Sequence, residues 1–116
     1  MVARQLIVDA LDAAQLRPAT TGQLAAPCVI VEPGDPWSAP ERLPRRLTRW
    51  RLTAVAGRAD TEGAIATLAD LIDAVDAALL TVPGLQLPSW AKPFDASLDG
   101  IPYAASAATV QLYAEG

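Results

Sequence analysis

The sequence predicts a single domain of the α+β class, with helices and strands in separate segments of the chain. Apolar residues recur at spacings of three and four along one long stretch, which is the pattern of a helix with one buried face. They are Ile65, Leu68, Ile72, Val75, Leu79 and Val82. Other stretches alternate between apolar and polar residues, as strands do. The 116 residues are enough for one hydrophobic core.

The chain begins with a second, shorter helical pattern over residues 3–15, which the pair Arg17-Pro18 ends. Its polar side carries Gln5, Asp9 and Asp12. Its apolar side is formed by Leu6, Ile7, Ala10, Leu11 and Ala14. We therefore expect this helix to pack on the core with one face.

A short buried strand is predicted over residues 28–32, because an apolar run that begins at Cys28 is bounded on both sides by prolines. Cys28 is the one cysteine of the chain, so an internal disulfide is excluded. We expect it to behave as a small buried hydrophobic residue, since the chain has no histidine to activate a thiol.

A long Pro-rich loop is predicted over residues 33–44, where four prolines occur within twelve residues. Proline fixes the dihedral angle φ and lacks an N–H group, so this density forbids a helix and disfavours a central strand. Trp37 lies in the middle of this segment. It either folds back over the core or anchors a partner, since tryptophan is a frequent hot-spot residue of interfaces.

A second strand is predicted over residues 47–56, with Arg49 and Arg51 on one face and Trp50 and Leu52 on the other. The first pair suits a solvated face and the second pair suits the core. The long helix follows this strand after a break that contains glycine.

The ends of the long helix are marked by residues that favour a helix start and a helix stop. Asp60 or Thr61 is predicted to accept hydrogen bonds from the first free amides, and Pro83-Gly84 is predicted to stop the helix. Residues 84–92 then predict an irregular or edge segment.

A hairpin is predicted at the end of the chain. Phe94, Ala96 and Leu98 alternate with polar residues, and Asp99-Gly100 is a favoured two-residue turn. The last strand is predicted over residues 101–113.

Charge is strongly segregated along the chain. Six of the nine basic residues lie between positions 42 and 58 with no acidic residue among them, namely Arg42, Arg45, Arg46, Arg49, Arg51 and Arg58. Residues 59–91 contain no basic residue and carry the acidic residues Asp60, Glu62, Asp70, Asp73 and Asp76. The basic strand is therefore followed by an acidic helix.

Two interpretations of this segregation are open. The charges form solvated faces that pair within one copy, or the basic strand of one copy meets the acidic helix of the next in a head-to-tail contact that closes a ring. The candidate subunit or partner interface consists of Trp37, Arg45, Arg46, Arg49, Arg51, Asp70, Asp73 and Asp76.

Composition disfavours several classes of function. Without histidine the chain lacks the commonest general base and metal ligand, and no carboxylate pair is predicted to face a cleft, so we predict no enzyme and no catalytic, cofactor-binding or metal-binding residue. A net charge of −4 argues against general nucleic-acid binding. The run of arginines is the one feature that favours such binding. Neither a signal peptide nor an apolar run of the roughly 20 residues that cross a bilayer is present, so we expect a cytosol-like compartment and no membrane partner.

In their order and spacing these features resemble the small tail terminator, or tail completion, proteins of long-tailed bacteriophages. The resemblance covers nearly the full length. It lies in the N-terminal helix, the run Pro27-Cys28-Val29-Ile30-Val31, the Pro-rich loop, the strand end Ala54-Val55-Ala56-Gly57-Arg58, the long helix, and the closing run Asp99-Gly100-Ile101-Pro102-Tyr103-Ala104-Ala105.

The resemblance implies one domain over residues 1–116, with a twisted, mainly antiparallel sheet packed by the two helices. It also implies a virion structural protein, assembled in the host cytoplasm, that forms a ring, usually a hexamer. Such a ring caps the tail tube and joins the tail to neck proteins, while DNA passes through the hole without being read. The alternatives are another small connector of the head-to-tail junction and a host-encoded binding module.

Overall fold

The computed structural model describes residues 3–16, 18–19, 27–42, 45–59, 62–86, 88–98 and 100–115. Within these residues the chain forms a five-stranded sheet and two helices, which confirms the predicted α+β class. In chain order the elements are α1 (Ala3–Ala13), β1 (Pro18–Ala19), β2 (Cys28–Arg42), β3 (Arg45–Arg58), α2 (Ala64–Leu79), β4 (Phe94–Leu98) and β5 (Ile101–Glu115). Neither described helix is long and apolar enough to span a membrane.

The sheet has the strand order β1-β2-β3-β5-β4, and only β1 runs parallel to its neighbour. Strand β3 is central, with β2 on one side and β5 on the other. The predicted C-terminal hairpin is confirmed, because Leu98 lies opposite Ile101 in the β4–β5 ladder. Gly100 has a φ angle of 79°, which suits a two-residue hairpin turn, and Asp99 lies outside the described residues.

Strand β2 continues through residues 33–42, which the sequence predicts as part of a long Pro-rich loop. Residues 43 and 44 lie outside the described residues. The ladder with β3 is irregular here: Pro33 lies opposite Trp50 and Ser38 opposite Thr48, so residues 34–37 form a bulge against Arg49 alone. The segment is therefore an interrupted strand instead of a loop.

Prolines are tolerated in this strand because it lies at the edge of the described sheet. β1 pairs only with Val29 and Ile30, so the rest of β2 has β3 as its one described neighbour. An edge strand can direct a missing N–H group away from the ladder, whereas a strand with two neighbours cannot. Proline density excluded a central strand, but it did not exclude an edge strand.

Both helices pack on one face of the sheet. The core on this face confirms that Trp50 and Leu52 point inward, with 3% and 0% of their surface exposed. Its buried members are Ile7, Leu11, Val29, Val31, Trp50, Leu52, Val75, Ala78, Leu79, Val82, Val110 and Leu112. From α1, Ile7 and Leu11 reach this core, whereas Leu6 remains 39% exposed.

Helix α2 differs from its prediction at both ends. Its N-cap is Gly63, with a φ of 80° and no side-chain cap, and Asp60 and Thr61 lie outside the described residues. The helix ends at Leu79, before Pro83 is reached. Ile65 was expected in the buried stripe, but it is 60% exposed. In this part of α2 the residues that contact the sheet are Ala64 and Leu68, and Ile65 lies beside them.

A smaller cluster lies on the opposite face of the sheet. Cys28, Ile30, Val55 and Ala105 are its buried members, and they come from three adjacent strands. Cys28 is a free cysteine with 2% of its surface exposed, so the prediction of a buried small hydrophobic residue is confirmed.

Leu68 and Ile65 offer a matched test of how α2 lies on the sheet. Leu68 is 1% exposed, so Leu68→Ala should lower the free energy of unfolding by about 2–5 kcal/mol through lost burial and a residual cavity. Ile65→Ala, on the exposed flank, should change it by less than about 0.5 kcal/mol. Urea unfolding followed by circular dichroism measures both, and equal losses would contradict this orientation of the helix.

Candidate assembly interface

Arg49 and Arg51 lie on the sheet face that points away from both helices, because they alternate with Trp50, which points toward them. We call this surface the open face. On β5, Gln111 lies opposite Arg49 and Thr109 lies opposite Arg51. Arg51 is exposed, whereas Arg49 is half-buried. The Nη1 atom of Arg49 is buried and has no hydrogen-bond partner in the part of the chain that the structure describes.

The bulge in β2 lies against Arg49 of β3, and this close approach depends on a glycine. A Cβ atom added to Gly34 would lie 3.0 Å from the Cβ of Arg49 and 3.1 Å from its carbonyl carbon and oxygen. Only a residue without a side chain permits this approach without displacing the backbone. Gly34 therefore brings the bulge of β2 against the position of Arg49.

A groove of about 490 Å³ opens between β5 and the described residues of the segment 86–91, which are all but residue 87. The segment is held to β5 by the Gln86 amide, which donates to the Gln111 carbonyl at 2.9 Å, and by the Ala91 amide, which donates to the Ala107 carbonyl at 2.8 Å. The hydroxyl of Ser106 donates to the Ala91 carbonyl at 2.6 Å. Among the described lining residues, the polar ones are Arg51, Gln86, Ser89, Thr109 and Gln111, and none is acidic.

The three aspartates of α2 do not share one environment. Asp70 and Asp73 are exposed on the outer side of the helix, whereas Asp76 is half-buried. A carboxylate oxygen of Asp76 accepts a hydrogen bond of 2.9 Å from the indole nitrogen of Trp90. Trp90 also packs against the core, so Asp76 holds the segment 86–91 in place instead of facing a partner.

The sheet separates the basic surface from the acidic one. Arg51 projects from the open face, and α2 covers the other face with Asp70 and Asp73 on its outer side. Within one copy the sheet lies between these arginines and these aspartates, so they cannot form ion pairs with each other. The two surfaces are therefore separate in one copy, and contact between copies stays a prediction.

Three members of the candidate interface are described only through their backbone. Trp37 lies in the bulge of β2, so both roles considered for its side chain remain predictions. Arg45 lies opposite Glu115 on β5, and Arg46 lies opposite Ala114. All three therefore lie in the half of the sheet that includes the β2–β3 connection.

Sequence reasoning missed the groove and the tryptophan that anchors one of its walls to α2. The segment 84–92 was expected to be irregular, but no pattern in it indicated that Trp90 would reach Asp76 across 14 residues. The exposure of Leu80, at 69%, and of Ile65 was missed as well. An exposed apolar residue on the helix that carries the outer aspartates is a signal that only the structure provides.

Comparisons with known proteins assign no relative. No protein-family model matches the chain, and no curated protein matches its sequence significantly. Among the described residues, no group of three or more Cys, Asp or Glu side chains is placed to hold a metal ion. The functional interpretation therefore depends on the two charged surfaces and on the resemblance in element order.

Gly34→Ala tests the close approach at Arg49. The new Cβ must displace β2 or β3, so we expect the free energy of unfolding to fall by about 1–3 kcal/mol, as in other overpacked sites. Gly57→Ala is the control, because no atom lies within 4 Å of its added Cβ. Thermal unfolding of both variants measures the difference, and a neutral Gly34→Ala would contradict the geometry of the bulge.

Asp76→Ala tests the bond that holds the segment 86–91. Because the indole N–H of Trp90 loses its acceptor, we expect a loss of about 1 kcal/mol and faster amide exchange at Ala91. Asp73→Ala removes an exposed carboxylate from the same helix and should leave both quantities unchanged. Hydrogen exchange measured by NMR would contradict the assignment if the two variants behaved alike.

Proposed function

We propose that this chain is a tail terminator of a long-tailed bacteriophage. In this proposal it is a non-enzymatic structural subunit, and its copies join head to tail in a ring of six that caps the tail tube. The observation that carries the proposal is the position of Arg49 and Arg51 on one face of the sheet and of Asp70 and Asp73 beyond the other. The order of the elements, which resembles that family, supports it.

Two different and complementary surfaces on opposite sides of a subunit favour a heterologous contact. In such a contact, surface A of one copy meets surface B of the next, and the assembly closes into a ring when the rotation between copies allows it. A two-fold dimer would instead bring like charges together, which disfavours association. The charge pattern therefore favours a ring over a dimer.

The described edges of the sheet are poorly suited to a different mode of assembly, in which strands of two copies pair. Pro33, Pro36 and Pro40 lie in β2 beyond its contact with β1, and each lacks an N–H group. At the other edge, β4 has only five residues and carries Asp95. Short, charged or Pro-containing edges are typical of sheets that do not extend by strand addition. The remaining way for copies to associate is through the open face of the sheet and the outer side of the helices.

The net charge of −4 per copy suits a ring through which DNA passes without being bound. Phosphates are repelled by a surface of the same sign, so sequence-independent affinity is low. In this function the partners are further copies of the chain, the tail tube protein and a neck protein, and the location is the tail of the virion.

Electron microscopy tests the proposal in two steps. Purified protein in negative stain should form rings of one defined symmetry. Added to tail tubes assembled from the tube protein encoded next to this chain, it should bind at one end and stop elongation. Tubes that elongate equally with and without the chain would contradict a terminator.

The same experiment separates the alternatives. A neck connector should bind the exposed end of a filled capsid and leave tube length unchanged. A binding module should remain a monomer and bind neither structure. The order of genes adds an independent criterion, since a terminator is expected just before the major tube protein.

A further inference from the structure

We propose that the groove between β5 and residues 86–91 is the docking site for helix α2 of a second copy, with Asp70 and Asp73 reaching Arg51 and Arg49. The inference rests on the proposed function for the ring, and it names the contact that holds the ring together. It makes the site incomplete in a single copy, because the acceptors come from the neighbouring subunit.

The groove is rich in hydrogen-bond donors. Arg51 contributes a guanidinium group, Ser89 and Thr109 contribute hydroxyls, and Gln86 and Gln111 contribute amides. Glu32 lies opposite Arg51 on the far side from the groove. None of the described residues that line the groove is acidic, and Arg51 gives the groove a positive charge. A ligand with carboxylates is the chemistry that this surface recognises.

Arg49 adds positive charge beside the groove. It lies opposite Gln111, which lines the groove. Its Nη1 atom is buried and has no hydrogen-bond partner among the described residues, so this nitrogen is closed to a docking group. The side chain as a whole is half-buried, and a carboxylate that enters beside Gln111 would be attracted by its charge.

The backbone of β5 offers a further donor at the same place. The carbonyls of Ala107 and Gln111 accept hydrogen bonds from the segment 86–91. In a strand, alternate residues direct their backbone groups to the same side, so the N–H of Thr109 also points toward this segment. The segment does not pair with Thr109 within the described residues. The groove is the resulting gap.

Helix α2 presents two carboxylates at a matching distance. Asp70 and Asp73 are exposed and three residues apart, which places their Cβ atoms about 5–6 Å from each other. Arg49 and Arg51 are two residues apart on a strand, or about 6.6 Å. Two acidic side chains can therefore face two basic ones without deforming either element. Asp76 is not part of this contact, because its carboxylate already accepts a hydrogen bond from Trp90.

Exposed apolar side chains lie at both ends of α2. Ile65, on the exposed flank, and Leu80, the C-cap residue, are 60% and 69% exposed. Interfaces commonly combine apolar anchors with charged pairs that fix the register. A second copy is the occupant because the complementary surface belongs to this same chain, and the sheet prevents a copy from docking its own helix.

Charge reversal tests the contact directly. Arg49→Glu/Arg51→Glu makes both surfaces acidic, and Asp70→Lys/Asp73→Lys makes both basic. Each variant alone should self-associate at least about tenfold more weakly than the wild type in sedimentation velocity. An equimolar mixture should recover the association, because each acidic surface then meets a basic one. A single chain with all four substitutions should recover it as well.

Lys92→Glu/Asp95→Lys is the control, since both residues are exposed outside the two surfaces, and its association should equal that of the wild type. Should Arg49→Glu unfold the chain, the exposed pair Arg51→Glu and Asp73→Lys repeats the test. Failure of the mixture to associate, or a wild type that stays monomeric at its highest soluble concentration, would overturn the inference. If charge-reversed variants still form rings that cap tubes, this contact is wrong and the proposed function is retained. If the copies associate through this contact but do not cap tubes, the contact is retained and the terminator function is wrong.

Discussion

The register of β3 between β2 and β5 is the constraint on which the other features depend. Because side chains alternate across a strand, one register places Trp50 and Leu52 under the helices and Arg49 and Arg51 on the open face. A slip by one residue would bury both guanidinium groups and expose the core, which is why the pairing is strongly specified. The separation of the two charged surfaces follows from the same alternation.

Strand β5 has a second role because its far edge is only partly paired with β4. Residues 86 and 88–91 lie along part of the remaining edge, held by backbone bonds from Gln86 and Ala91 and by the bond from Trp90 to Asp76. One helix thus anchors the wall of the groove with one aspartate and exposes two others to solvent. In the proposed ring, α2 of one copy supports its own groove and occupies that of the next.

Much of the fold follows from residue periodicity, and the exceptions have physical causes. The 3–4 spacing located α2 and the turn dipeptide located the C-terminal hairpin, because both signals are local in the chain. The extension of β2 through residues 33–42 was not predicted, since proline density cannot tell an edge strand from a loop without knowing the neighbours. The exposure of Ile65 was missed for a similar reason: periodicity gives the centre of a buried stripe but not its width.

The sequence by itself determined the α+β class, the buried faces of β3 and α2, and the segregation of arginines from aspartates. These properties depend on the order of residue types along the chain. Only the tertiary structure decided that the two charged surfaces lie on opposite sides of a sheet, that Asp76 is hydrogen-bonded to Trp90, and that Arg49 has a buried nitrogen with no partner among the described residues. Such properties depend on which distant residues become neighbours, and the local pattern of a chain does not contain that information.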